Sequence, residues 1–132
     1  MRVLFVCTGN AHRSPLAEAL LKRLRPDLQV ESAGLHVAIP ISEAVREYLA
    51  RENAARCLKR APEDLNSKQI DKYDLIVAME QKHKDAITLK CPECENKIAV
   101  WNIEDPYFLP AKEAEKVYRQ ISKKVVELAG SL

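Results

Sequence analysis

Short apolar runs with strand character alternate along this chain with longer segments of helical periodicity, and that alternation restricts the fold more than any other feature. Residues 2–6 read as a first strand, and 14–25 as a helix stopped by Pro26. Val30 to Ser32 lies in a second strand ending at Gly34, and Ile41 to Asn53 reads as a second helix. An irregular stretch near Leu58 leads to a helical turn at Ser67–Asp71. Residues 74–79 form the third strand, 81–88 a short helix and 97–101 the fourth strand. Pro110 to Gly130 closes the chain as a long helix with Ala114, Val117, Ile121, Val125 and Leu128 on one face. Alternating β and α units predict an open, parallel four-stranded sheet with helices on both faces and right-handed crossovers. The 132 residues suit one domain, 1–132, around a single core.

Ligands of such sheets sit at the carboxyl ends of the strands. The first strand runs through Val3-Leu4-Phe5-Val6 into Cys7-Thr8-Gly9-Asn10-Ala11-His12-Arg13, and a helical segment opens at Ser14-Pro15-Leu16. A loop entering a helix N-terminus turns several backbone N–H groups toward one point, where the helix dipole adds positive charge. An anion belongs there. Arg13 can fold back and hold two oxygens of a phosphate in fork geometry, and Cys7 shares the same field, which favours its thiolate and makes the sulfur a nucleophile. Gly9 permits close backbone approach or positive φ, and Asn10 tolerates the left-handed region while its amide ties the loop. Ser14 is expected to cap the helix and to donate its hydroxyl to the thiolate. For an arbitrary Cys-x5-Arg pair, a buried structural cysteine beside an unrelated arginine is the better reading. Strand, loop and helix in this order favour chemistry.

The tridecapeptide Val6-Cys7-Thr8-Gly9-Asn10-Ala11-His12-Arg13-Ser14-Pro15-Leu16-Ala17-Glu18 resembles the signature of the low-molecular-weight protein tyrosine phosphatases. The likeness continues through Ser32-Ala33-Gly34, the strand Asp74-Leu75-Ile76-Val77-Ala78-Met79 and Glu104-Asp105-Pro106-Tyr107-Phe108, and so covers nearly the whole chain. It implies a two-step cysteinyl-phosphate mechanism. Cys7 would attack phosphorus, and Arg13 would hold the equatorial oxygens. Asp105 would protonate the leaving phenolate and then deprotonate the hydrolytic water. An Asp-Pro pair by itself is commonly a turn. Tyr107 and Phe108 add aromatic surface beside Asp105 in a chain with only 5% aromatics, which suits a wall for a phenyl ring and a partly desolvated acid. Glu104 reads as a solvated neighbour.

Two departures from that family's pattern stand out. Position 12 is His where these phosphatases typically carry a second loop cysteine that can protect the nucleophile as a disulfide. A protonated His12 would favour the Cys7 thiolate further; an imidazole turned away to brace the loop is the other reading. The segment Leu35-His36-Val37-Ala38-Ile39-Pro40 is short and lacks the aromatic residue usual on that side of the cleft, with His36 and Ile39 as candidates for its lining.

Cys91-Pro92-Glu93-Cys94 supplies two of the four ligands that structural zinc takes, and only His83 and Cys57 remain as further candidates, so no metal or other cofactor is expected. A redox dithiol fits the spacing, with Cys91 or Cys94 placed near the active-site rim, protecting Cys7 and served by a thioredoxin-like reductant. Two reduced cysteines in a surface turn are the alternative. Cys57 reads as a packing residue. The dithiol raises a rival function, since thioredoxin-coupled arsenate reductases resemble this fold and relay a disulfide from the loop cysteine. A non-catalytic phosphate-binding module is a third reading, with no use for both Cys7 and Asp105. A net charge of +2 with 30% charged residues of interleaved sign points to neither nucleic acid nor anionic membrane. Without a signal-like or membrane-length apolar run, a cytoplasmic location is expected.

Overall fold

The computed structural model describes residues 1–132. Four strands, β1 (Arg2–Cys7), β2 (Gln29–Gly34), β3 (Leu75–Ala78) and β4 (Ile98–Val100), form one sheet in the order β2-β1-β3-β4. All three pairings are parallel, with Val3 opposite Val30 on one side and Leu75 on the other. The central strand β1 is buried from Val3 to Cys7, as a strand covered on both faces must be.

Alternate residues of β1 feed two cores. Val3, Phe5 and Cys7 join Val77 and Met79 against α1 (Arg13–Leu24), α2 (Glu43–Arg51) and α4 (Ala111–Ser131). Leu4 and Val6 join Ile76, Ala78 and Ile87 on the opposite face, under α3 (Gln81–Lys90) and the 3-10 segments Leu65–Ser67, Ile70–Lys72 and Pro92–Lys97. The period of two along a strand divides the apolar residues between these layers. The long helix α4 buries Ala114, Val117, Tyr118, Ile121 and Val125. Tyr118 packs against Tyr48 of α2 with ring centroids 5.6 Å apart and the planes tilted by 59°, a contact that aliphatic periodicity did not reveal.

The expected parallel sheet is present, and differences lie at element ends. Helix α1 begins at Arg13 with His12 as its N-cap, so Ser14 lies inside the first turn and does not cap it. Strand β2 extends back to Gln29, because its pairing with β1 begins at Arg2. Helix α2 is shorter than 41–53: Ser42 caps it by accepting from the Ala44 N–H, and after the C-cap Glu52 the chain leaves the helix through Asn53 in the left-handed region at φ 57°. The turn expected at Ser67–Asp71 resolves into two separate 3-10 segments, the first capped by Asp64. No helix is long and apolar enough to cross a membrane.

Candidate active site

The cleft lies beyond the carboxyl ends of β1 and β4, with a volume of about 280 Å³. Cys7, Thr8, Gly9, Ala11, His12 and Arg13 form its floor, while His36, Ala38 and Ile39 face Asp105, Tyr107 and Phe108 across its mouth. The chain thus brings together residues separated by almost a hundred positions.

The floor is a loop held from behind. Asn10 takes φ 53°, so the backbone reverses there without a glycine. Its buried amide donates to Ser14 Oγ at 2.8 Å and Ser32 Oγ at 2.9 Å, and its Oδ1 accepts from the Glu63 N–H and from Lys59 Nζ, both at 2.8 Å. Gly9 has no positive φ, and a Cβ there would meet nothing nearer than 3.8 Å, so the conformational freedom expected of Gly9 is exercised by Asn10 instead. Close approach is required at Gly34. A Cβ at Gly34 would lie 2.7 Å from the Asn10 nitrogen and 2.8 Å from both the Gly9 carbonyl carbon and the Thr8 oxygen. The backbone N–H groups of Gly9, Asn10, Ala11 and His12 have no acceptor within the protein, although Asn10 and Ala11 are buried. Unpaired buried donors are costly, and a multivalent oxyanion satisfies them together.

Cys7 is 2% exposed, with Sγ 2.9 Å from Ser14 Oγ. Because Asn10 donates to Ser14 Oγ, the serine hydroxyl hydrogen is left for the sulfur. Arg13 is equally buried. Its Nη1 donates to Glu80 Oε2 at 2.5 Å and to the Ile103 carbonyl at 2.7 Å, while Nη2 lies 3.4 Å from Thr8 Oγ1 and 3.7 Å from Asp105 Oδ2. One edge of the guanidinium is anchored and the other faces the cleft.

His83 completes this arrangement. Its Nδ1 accepts from the Glu80 N–H at 3.0 Å, so the proton sits on Nε2, which donates to Thr8 Oγ1 at 2.9 Å. Burial, with the Arg13 charge adding to it, lowers the His83 pKa to about 4. The ring is therefore neutral near pH 7, and the Thr8 hydroxyl, already accepting, is free to donate into the cleft. Glu80 and His83 were absent from the sequence-based site; the sequence offers only a carboxylate and an imidazole three apart, just after a strand. His83 instead entered as a zinc candidate, and it lies in this network, away from Cys91 and Cys94.

Asp105 follows β4 on an Asx turn, its Oδ1 accepting from the Tyr107 N–H at 3.0 Å. Its side chain is 45% exposed, and Phe108 is 90% exposed, so the aromatic residues form a rim and do not bury the carboxyl as expected. Tyr107 packs edge-on against Phe108 at 4.6 Å and against His12 at 5.8 Å. His12 lines the cleft beside Tyr107, and burial lowers its pKa against the opposing pull of Asp105. It is neither turned away nor a favoured cation.

Cys91 and Cys94 are bonded to each other and packed in the core of the α3 face. Helix α3 begins at the cleft, where Glu80 caps it, and descends about 15 Å before reaching Cys91. The pair therefore sits at the amino end of the sheet, beside Ile98 and Ile70, and the expected position at the active-site rim is corrected. Glu93 is close to both sulfurs, but these are already joined to one another. Cys57 is a free, half-buried thiol packed on the α1 face.

A sulfur beneath unpaired amides, an anchored arginine and a carboxylate at the rim of a parallel α/β sheet define a Cys-x5-Arg phosphate-ester hydrolase. The chain matches the family model of the low molecular weight phosphotyrosine protein phosphatases over residues 2–132, and it belongs to that family. It is 32% identical over 138 residues to the low molecular weight protein-tyrosine-phosphatase Etp of Escherichia coli (strain K12), covering 98% of this chain and 93% of that protein. A protein-arginine-phosphatase of Geobacillus stearothermophilus is 37% identical over 98 residues, which cover 73% of this chain and 66% of that relative. The solved low molecular weight protein tyrosine phosphatase of T. tengcongensis is similar at a TM-score of 0.89 and 30% identity, covering 100% of this chain and 99% of the other.

Proposed function

We propose that this protein hydrolyses phosphotyrosine monoesters through a phosphocysteine intermediate at Cys7. The observation that carries this reading is the Cys7 sulfur at 2.9 Å from Ser14 Oγ, beneath four backbone N–H groups that no protein acceptor satisfies. The phosphoryl oxygens take those amides together with Arg13 Nη2, and charge developing on them is stabilised by donors already in position. Substrate displaces the 3.7 Å contact between Arg13 and Asp105, leaving the carboxyl above the ester oxygen. Cys7 attacks phosphorus as Asp105 gives its proton to the departing phenolate. Asp105 then takes a proton from water, which attacks the phosphocysteine and returns the thiolate to the Ser14 hydroxyl.

Tyr107 and Phe108 favour an aryl ester, because they offer ring faces and edges beside the acid. The Geobacillus relative named as an arginine phosphatase supplies a second reading, phosphoarginine. Arsenate reduction finds no support, since a relay requires thiols that reach Cys7, and Cys91 and Cys94 lie at the opposite end of the sheet. The same placement gives no support to a thioredoxin-like reductant acting in turnover. A reducing cytoplasm, where Cys7 stays a thiol, suits this chemistry.

Wild-type protein assayed on matched phosphotyrosine and phosphoarginine peptides tests the reading. A kcat/KM at least tenfold higher on phosphotyrosine supports it; preference for phosphoarginine, or turnover of neither, overturns it.

A further inference from the structure

Lys59 touches no part of the cleft, yet its ammonium is tied to the back of the phosphate loop. The side chain is 8% exposed, and Nζ donates to Asn10 Oδ1 at 2.8 Å, to the Ser32 carbonyl at 2.9 Å and to Glu63 Oε1 at 2.7 Å. The contact with Asn10 has a direction. With the Glu63 N–H also donating to Oδ1, the Asn10 amide is held so that Nδ2 points to Ser14 Oγ. That donation occupies one lone pair of the serine oxygen, and the O–H is then the donor available to a Cys7 thiolate, its Sγ 2.9 Å away. One hydrogen of each group in the series Lys59, Asn10, Ser14 thus points to the next member and finally to the sulfur, while Asn10 also donates to Ser32 Oγ and Lys59 to the Ser32 carbonyl and Glu63.

On the reading of Cys7 as nucleophile, we propose that Lys59 is a positioning residue that stabilises the Cys7 thiolate through Asn10 and Ser14. A cation at the start of such a series polarises each donor in the direction of the next, and a thiolate is the terminal acceptor that gains from it. The same gain recurs when the phosphocysteine is hydrolysed and the thiolate departs. The ammonium does not float free to approach phosphate: Glu63 and, at 3.9 Å, the buried Glu18 fix it behind the loop.

The test reads thiolate directly, apart from turnover. In Lys59→Gln a neutral amide replaces the cation and still reaches toward Asn10. Iodoacetamide, which consumes thiolate, should alkylate Cys7 about tenfold more slowly at pH 6, while inhibition by inorganic phosphate changes less than threefold. Lys59→Arg should recover most of the alkylation rate. An unchanged rate in folded Lys59→Gln, or parallel losses of alkylation and phosphate affinity, overturns the proposal, the second outcome marking a purely structural role. Should Lys59→Gln not fold, the wild-type protein decides: the ¹⁵Nζ resonance of Lys59 must move when Cys7 is alkylated, and a stationary resonance overturns the assignment. Wild-type protein that fails to hydrolyse p-nitrophenyl phosphate would instead remove the phosphatase reading itself.

Discussion

Two single residues carry opposite kinds of necessity. Asp105 is half exposed on an Asx turn, free to meet substrate, and in the proposed mechanism its contribution is the proton given to the leaving group. Asp105→Ala should lower kcat by about 10² to 10⁴ on alkyl or weakly acidic phenyl phosphates, and far less when the leaving phenol is strongly acidic. Equal losses across leaving groups of widely different acidity would exclude it as the acid. Gly34 never meets substrate, but the loop backbone occupies the space of its missing side chain at 2.7–2.8 Å. Gly34→Ala should cost about 1–3 kcal/mol by denaturant unfolding, as overpacking against backbone does, and should reduce phosphate affinity because the loop must shift. Cys7, Arg13 and Asp105, which the structure gathers in one cleft, stood out in the sequence as candidates because each motif is local. Gly34 was legible only as a strand end, since the loop it touches is 24 residues away.

Helix α3 shows where local reading ends. Its first turn supplies Glu80 to Arg13 and His83 to Thr8, contacts spanning 67 and 75 residues. Nothing in a helical pattern reveals that its N-terminus abuts a loop formed at the start of the chain; the pairing of β3 with β1 does. Glu80 fixes the guanidinium edge that is not offered to phosphate, so Glu80→Gln should reduce kcat/KM by about 10- to 100-fold through misorientation of the fork. A variant with wild-type kcat/KM would show that the Ile103 carbonyl holds Arg13 unaided. The far end of the same helix explains the misplaced dithiol. Sequence position between β3 and the Asp105 segment suggested proximity to the cleft, but a ten-residue helix carries the chain down to the other end of the sheet before Cys91.

At the scale of the molecule, alternation of apolar runs sufficed for the parallel sheet, its two covered faces and the cleft at the strand ends. Element ends were less legible, being set by pairing partners and caps such as Arg2 opposite Gln29 and Ser42 before α2. Folding also fixes protonation. His83 resists protonation in the native state down to about pH 4, whereas its unfolded value is the ordinary 6.5. As pH falls from 6.5 to 4, the unfolded chain gains a proton that the native chain refuses, so stability should drop by about 3 kcal/mol over that window and be insensitive to this group above it. Denaturant titrations of wild type and His83→Gln check this: the variant should lack that share of the decline, and identical profiles would contradict it. The central claim is that phosphate passes through the sulfur of residue 7. Rapid acid quench during turnover of a ³²P-labelled phosphotyrosine peptide, followed by peptide mapping, should recover label on the Cys7 peptide as an acid-stable phosphocysteine. Full turnover with no label at Cys7, or undiminished turnover by Cys7→Ser, would contradict it.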